Sequence, residues 1–190
     1  MRILGLSGSL RRDSYNTSLL RAAAELAGDD VEFVLWSGLK EIPPYDQDED
    51  GERTPAAVAR LRDAFAGADA VFIATPEYNA SIPGHLKNAL DWVSRPLAAN
   101  PLRNKPAAVV GASTGAFGAV WAQAELRKVL ATIGARVVEG EVAVGHAPDR
   151  FDPDGRLADE ETRERLAEVV GQLVDAVHER AATAASPVAA

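Results

Sequence analysis

Two short runs, Ala70-Val71-Phe72-Ile73-Ala74-Thr75 and Ala107-Ala108-Val109-Val110-Gly111, are apolar at nearly every residue. A strand with one wet face alternates apolar and polar residues, whereas a strand covered on both faces does not. These runs therefore belong at the centre of a parallel sheet with helices above and below it. The spacing of the remaining patterns agrees. Strands are expected at about 2–7, 31–36, 70–75, 107–112 and 137–144, and helices at about 15–27, 54–66, 84–94, 118–133 and 159–182. The last helix is the plainest, with Leu166, Val169, Val170, Leu173, Val174 and Val177 recurring on one face. Gly134 and Gly28 are placed to end the fourth and first helices.

Five such units with no boundary between them predict one doubly wound α/β domain over residues 1–182, with 183–190 as a flexible tail. Right-handed crossovers and this length allow the flavodoxin-like five-stranded order 2-1-3-4-5. Strands one and three are then neighbours, and ligands bind beyond the carboxyl ends of the strands. The loops after strands one, three and four become the candidates for a shared site.

The first of these loops, Gly8-Ser9-Leu10-Arg11-Arg12-Asp13-Ser14-Tyr15-Asn16, lies between a strand and a helix start. That order aims backbone N–H groups and the positive end of a helix dipole at one point. Ser9, Ser14 and Asn16 add neutral donors, and Arg11 and Arg12 add two guanidinium groups. A phosphate dianion calls for this set; an ordinary turn capped by Ser14 or Asn16 accounts for it equally well. The second loop, Thr75-Pro76-Glu77-Tyr78-Asn79-Ala80-Ser81-Ile82-Pro83-Gly84, is stiffened by two prolines and suits backbone donors held beside a flat ligand. It reads equally as a turn into the helix at 84–94. The third, Gly111-Ala112-Ser113-Thr114-Gly115-Ala116-Phe117-Gly118, has three glycines that allow a ligand to approach the backbone.

Composition removes several chemistries. The 190 residues include no cysteine, which excludes disulfides, thiolate nucleophiles and cysteine-held metals or clusters. His85, His146 and His178 show no metal-ligand spacing, so no metal is expected. Asp46-x-Asp48-x-Asp50-Gly51 imitates half of a calcium loop, but Ala57 stands where the closing glutamate belongs. A net charge of −8 argues against nucleic acid or an anionic membrane as partner. No run approaches a membrane span, and a cytoplasmic location is expected. Gly5 and Gly8 are three apart, so the dinucleotide fingerprint is absent, and the second strand ends in Ser37-Gly38 without the acid that reads an NAD ribose. A nucleotide-triphosphate loop is missing too, and a phosphate-ester hydrolase would lack its nucleophile.

Four segments then carry a resemblance. They are Gly8-Ser9-Leu10-Arg11 with Ser14 and Asn16; Thr75-Pro76-Glu77-Tyr78-Asn79; Ser81-Ile82-Pro83-Gly84 running into Leu86-Lys87-Asn88-Ala89-Leu90-Asp91-Trp92; and Ser113-Thr114-Gly115 with Gly118, Ala122 and Gln123. The chain resembles the NADPH-dependent FMN reductase family, flavodoxin-like oxidoreductases that include quinone, chromate and azo-compound reductases. The resemblance implies that Ser9, Arg11, Ser14, Asn16 and Thr17 hold the FMN phosphate. It implies that Pro76, Glu77, Tyr78 and Asn79 lie along the isoalloxazine, with Ser113 and Gly115 closing another side. Ala119 and Trp121 depart from the Gly and Arg often found in the family's chromate- and quinone-reducing members. An indole there either covers an acceptor or packs, and packing is the expectation.

The resulting expectation is a ping-pong reductase using FMN and NADPH or NADH, with a quinone, flavin or similar small acceptor. No side chain is assigned a catalytic role, because the cofactor carries the chemistry. The alternative is a flavodoxin-type one-electron carrier without a nicotinamide site. Leu86, Leu90, Trp92, Val93, Val120, Trp121, Leu126 and Val129 suggest more apolar surface on the third and fourth helices than one sheet face covers. A homodimer or homotetramer is expected, and the resemblance points the same way.

Overall fold

The computed structural model describes residues 1–185. Six strands form one parallel sheet: β1 (Arg2–Ser7), β2 (Glu32–Trp36), β3 (Ala70–Thr75), β4 (Pro106–Ala112), β5 (Arg136–Val137) and β6 (Val142–Val144). Five α-helices join them: α1 (Tyr15–Leu26), α2 (Ala56–Ala66), α3 (Gly84–Val93), α4 (Val120–Ile133) and α5 (Glu160–Ala185). The order is β2-β1-β3-β4-β5, with β6 also paired to β4. Every residue of β3 and β4 is buried, as their unbroken apolar runs require.

Side chains alternate between two cores. Ile3, Phe72, Ala108 and Val110 face α1 and α5, whereas Leu4, Leu6, Val71, Ile73 and Val109 face α2, α3 and α4. The period of two puts neighbouring residues of one strand on opposite faces. Gly5 falls on the α1 side, and its missing side chain leaves room for the Phe33 ring, which packs against Phe72 at 5.8 Å.

The expected strand at 137–144 is two short strands on the same edge of β4. β5 pairs with Pro106 and Ala107, and β6 with Val110, Gly111 and Ala112. Between them the chain leaves the ladder, and the Arg127 guanidinium of α4 donates to the carbonyls of Val109, Val138 and Gly140. A side chain thus replaces the strand where the ladder is interrupted, and burial lowers the Arg127 pKa.

Two other expectations change. α5 runs to Ala185, so residues 183–185 continue the helix, and 186–190 lie outside the described residues. Leu86, Leu90, Trp92, Val93 and Leu126 are fully buried within the chain, which removes the apolar-surface argument for an oligomer at those positions. α3 packs against α2, and Asn88 and Trp92 both donate to the Pro43 carbonyl, while the Tyr45 ring meets the Trp92 indole edge-on at 4.8 Å. Asp50, in the stretch that imitates a calcium loop, pairs with Arg62 at 2.8 Å.

Candidate cofactor cleft

The carboxyl ends of β1, β3 and β4 face one another across a cleft lined by eleven residues from their three loops and the start of α1. Ser9, Arg11, Ser14, Asn16, Pro76, Glu77, Tyr78 and Ser113 line it, together with Tyr15, Ala112 and Thr114. Thr17, Asn79 and Gly115 do not. The Thr17 hydroxyl donates to Ser7 Oγ at 3.1 Å, and both residues line an adjoining cleft on the other side of the first loop. Asn79 forms a two-residue turn tip with Ala80, both at positive φ (54° and 58°), closed by reciprocal Tyr78–Ser81 backbone bonds. Gly115 accepts from the His146 N–H and donates to Ser113 Oγ at 3.1 Å.

The loops are fixed before any ligand arrives. The Gly8 N–H donates to the Ala74 carbonyl at 2.8 Å, which ties the first loop to the end of β3. The His85 ring sits 2.8 Å from the Gly8 carbonyl, so the imidazole is engaged with the first loop. Ser113 bonds through its N–H to Val144 and through its carbonyl to Ala147. Gly118, at φ 59°, passes so close to β6 that a side-chain carbon there would lie 2.4 Å from the Ala143 carbonyl carbon.

Within the first loop, donors divide by task. The Asn16 amide pairs with both backbone groups of Ala112, at 2.9 and 3.0 Å, and so latches α1 to the end of β4. Ser14 occupies the N-cap position of α1 and is buried, yet its hydroxyl makes no capping bond to the helix. Arg11 donates to the Asp13 carbonyl and lies over the Tyr15 ring at 5.7 Å. Arg12 does not line this cleft. A hydroxyl lining the cleft without a hydrogen-bond partner among the described residues, a guanidinium and the first turn of a helix with no acidic residue fit a phosphate group.

Glu77 has a role that local reading does not reveal. Its carboxylate accepts from the backbone N–H groups of Trp121 and Ala122 at 3.0 and 3.1 Å. It therefore caps α4, whose N-cap residue Ala119 is left-handed and offers no side-chain acceptor. Trp121 is half-exposed and meets the exposed Phe117 edge-on, at 5.0 Å, so the indole stands at the surface rather than in the core. Tyr15, Ala112 and Thr114 also line the cleft, and their only signal in the sequence is their place in the βα turns beside Ser14, Asn16 and Ser113.

Comparisons with known proteins identify the family. Residues 1–149 match the family model described as NADPH-dependent FMN reductase. An NAD(P)H-dependent FMN reductase of Pseudomonas aeruginosa is 43% identical over 176 residues, covering 91% of this chain and 93% of that protein. A 2-hydroxy-1,4-benzoquinone reductase of a Burkholderia species is 39% identical over 183 residues, covering 95% and 98%. Among solved structures, the Paracoccus denitrificans flavoenzyme FerB, an NAD(P)H:(acceptor) oxidoreductase, superposes with a TM-score of 0.85 at 37% identity, covering 94% and 97%. With a family match over most of its length and the cleft where such a sheet binds ligands, this chain belongs to the NADPH-dependent FMN reductase family.

Proposed function

We propose that the protein holds FMN in this cleft and passes reducing equivalents from NADPH or NADH to a quinone, a flavin or a similar small acceptor. The observation that carries the reading is the family match falling on the three loops that wall the cleft. Ser9, Arg11 and Ser14 are assigned to the phosphate, with the α1 N-terminus behind them and Asn16 holding that terminus against β4. Pro76, Glu77 and Tyr78 are assigned to the flavin ring through their backbone, and Ser113 to its other side. Thr17, Asn79 and Gly115 act one step back, by shaping the loops that carry these contacts. FMN held there would supply the hydride chemistry, between the nicotinamide and the acceptor. The protein's part would be to hold the ring between the loop at Pro76, Glu77 and Tyr78 and Ser113, with the exposed Tyr78 leaving room for a second ligand. A single site used by donor and acceptor in turn would give a ping-pong order. We also propose a cytoplasmic location and, from the exposed Tyr78, Phe117 and Trp121 beside the cleft, a homodimer or homotetramer. Light scattering that found only a monomer would remove the oligomer.

The test of the function is the visible spectrum of the FMN-loaded protein mixed with NADPH without oxygen. Prompt bleaching, reversed by a benzoquinone, is expected. Absorption that persists with NADPH yet disappears with dithionite would indicate a one-electron carrier, and failure to take up FMN would end the reading.

A further inference from the structure

A second cleft lies on the other side of the first loop, at the carboxyl ends of β1 and β2, with a volume of about 360 Å³. It shares Ser9 and Arg11 with the cofactor cleft, so the two adjoin. Its lining includes Arg11, Arg12, Arg21 and Lys40, and no carboxylate. This is unusual in a chain of net charge −8. Other clefts are of mixed sign: the cofactor cleft includes Glu77, the hollow beside His146 includes Asp159 and Glu161, and the groove between α3 and α4 includes Asp91. The nearest acid in sequence to Lys40 is Glu41, and it is paired with Arg60 at 2.6 Å. Arg12 and Lys40 make no ion pair with a described residue; Arg21 also borders a hollow that includes Glu25 and Asp154.

The cleft has a flat side as well as a charged one. Trp36 and Leu35 end β2 against it. The Trp36 indole lies over Gly38, where a side-chain carbon would sit 2.7 Å from the ring, so the glycine gives the indole its place. An aromatic platform beside unpaired cations suits a nucleobase carrying a phosphate. The end of β2 is also where a dinucleotide fold places an acid to bind a free ribose 2′-hydroxyl; here the chain continues Ser37-Gly38-Leu39-Lys40. A carboxylate there would repel a 2′-phosphate, and Lys40 attracts one.

We propose that this cleft receives the 2′-phosphorylated adenosine end of NADPH, and that Arg12 and Lys40 make the chain prefer NADPH to NADH. The proposal rests on the reductase reading for its ligand. Its test uses binding alone: titration calorimetry of adenosine 2′,5′-bisphosphate into the protein, beside 5′-AMP and adenosine 3′,5′-bisphosphate. The wild-type protein is expected to bind the 2′,5′ compound at least about tenfold more tightly than either control, a difference one charge-assisted contact supplies. The Lys40→Gln variant and the Arg12→Gln, Lys40→Gln double variant are expected to lose that preference stepwise while binding FMN as tightly as wild type. In steady-state assays the KM for NADPH rises and that for NADH holds. Equal binding of all three nucleotides by wild type, or a preference kept by the double variant, would overturn the proposal and leave the flavin cleft standing. Loss of FMN binding in the wild-type protein would instead strike the reductase reading itself.

Discussion

Glu77 stands in a loop whose local chemistry points toward a ligand, yet its carboxylate is committed to the first turn of α4. The two N–H groups it accepts have no partner within the helix, and Ala119 supplies none. Replacing Glu77 by alanine is expected to cost about 1 kcal/mol, the usual worth of a cap, with Gln retaining part of it. Urea unfolding of the two variants checks this, and equal midpoints for Ala and wild type would remove the capping role. Asn16 teaches the same lesson. The types of residue in these loops are legible in the sequence, because turns and helix starts favour them for local reasons. Which partner each side chain takes is not, since Ala112 lies 96 positions from Asn16.

At the scale of elements, the central strands and all five helices follow from periodicity, whereas the last strand does not. Val137 to Val144 contains enough apolar residues to read as one strand, with Glu139-Gly140-Glu141 the only local sign of a break. The break is sustained from elsewhere, by an arginine on α4 that no pattern within the strand could indicate. Arg127 supplies donors to three carbonyls, one of them on β4. Arg127→Met keeps the length of the side chain but leaves those acceptors bare, and is expected to lower stability by about 3 kcal/mol. Hydrogen exchange should show the loss concentrated in residues 136–144, next to β4. A uniform loss across the sheet would mean that the guanidinium does not act as the missing strand.

Over the whole molecule, the sheet separates two ends with different work. The two clefts that share the first loop lie at the carboxyl ends of the strands, while Lys105 lies buried just before β4, at the opposite end, donating to the carbonyls of Phe65 in the last turn of α2 and of Ala68 just after it. Its placement could not be inferred from a lone lysine before a strand. Nor could the burial of Leu86, Leu90 and Trp92, which needed the packing of α3 on α2 and on the loop at Pro43. Burial, with Arg180 nearby, lowers the Lys105 pKa from 10.5 to about 8, against a smaller opposing pull from Asp69. Below pH 8 the ammonium is charged in both folded and unfolded chains, and folding bears the full cost of burying it. Between about pH 8 and 10.5 the folded protein gives up its proton while the unfolded chain still holds one, so this residue makes stability rise with pH. The shift corresponds to at most about 3 kcal/mol across that window. Lys105→Met removes the titration, so the stability of wild type minus that of the variant should climb from pH 8 to 10.5 in urea unfolding. A flat difference would show that the buried ammonium is solvated well enough to keep its ordinary pKa.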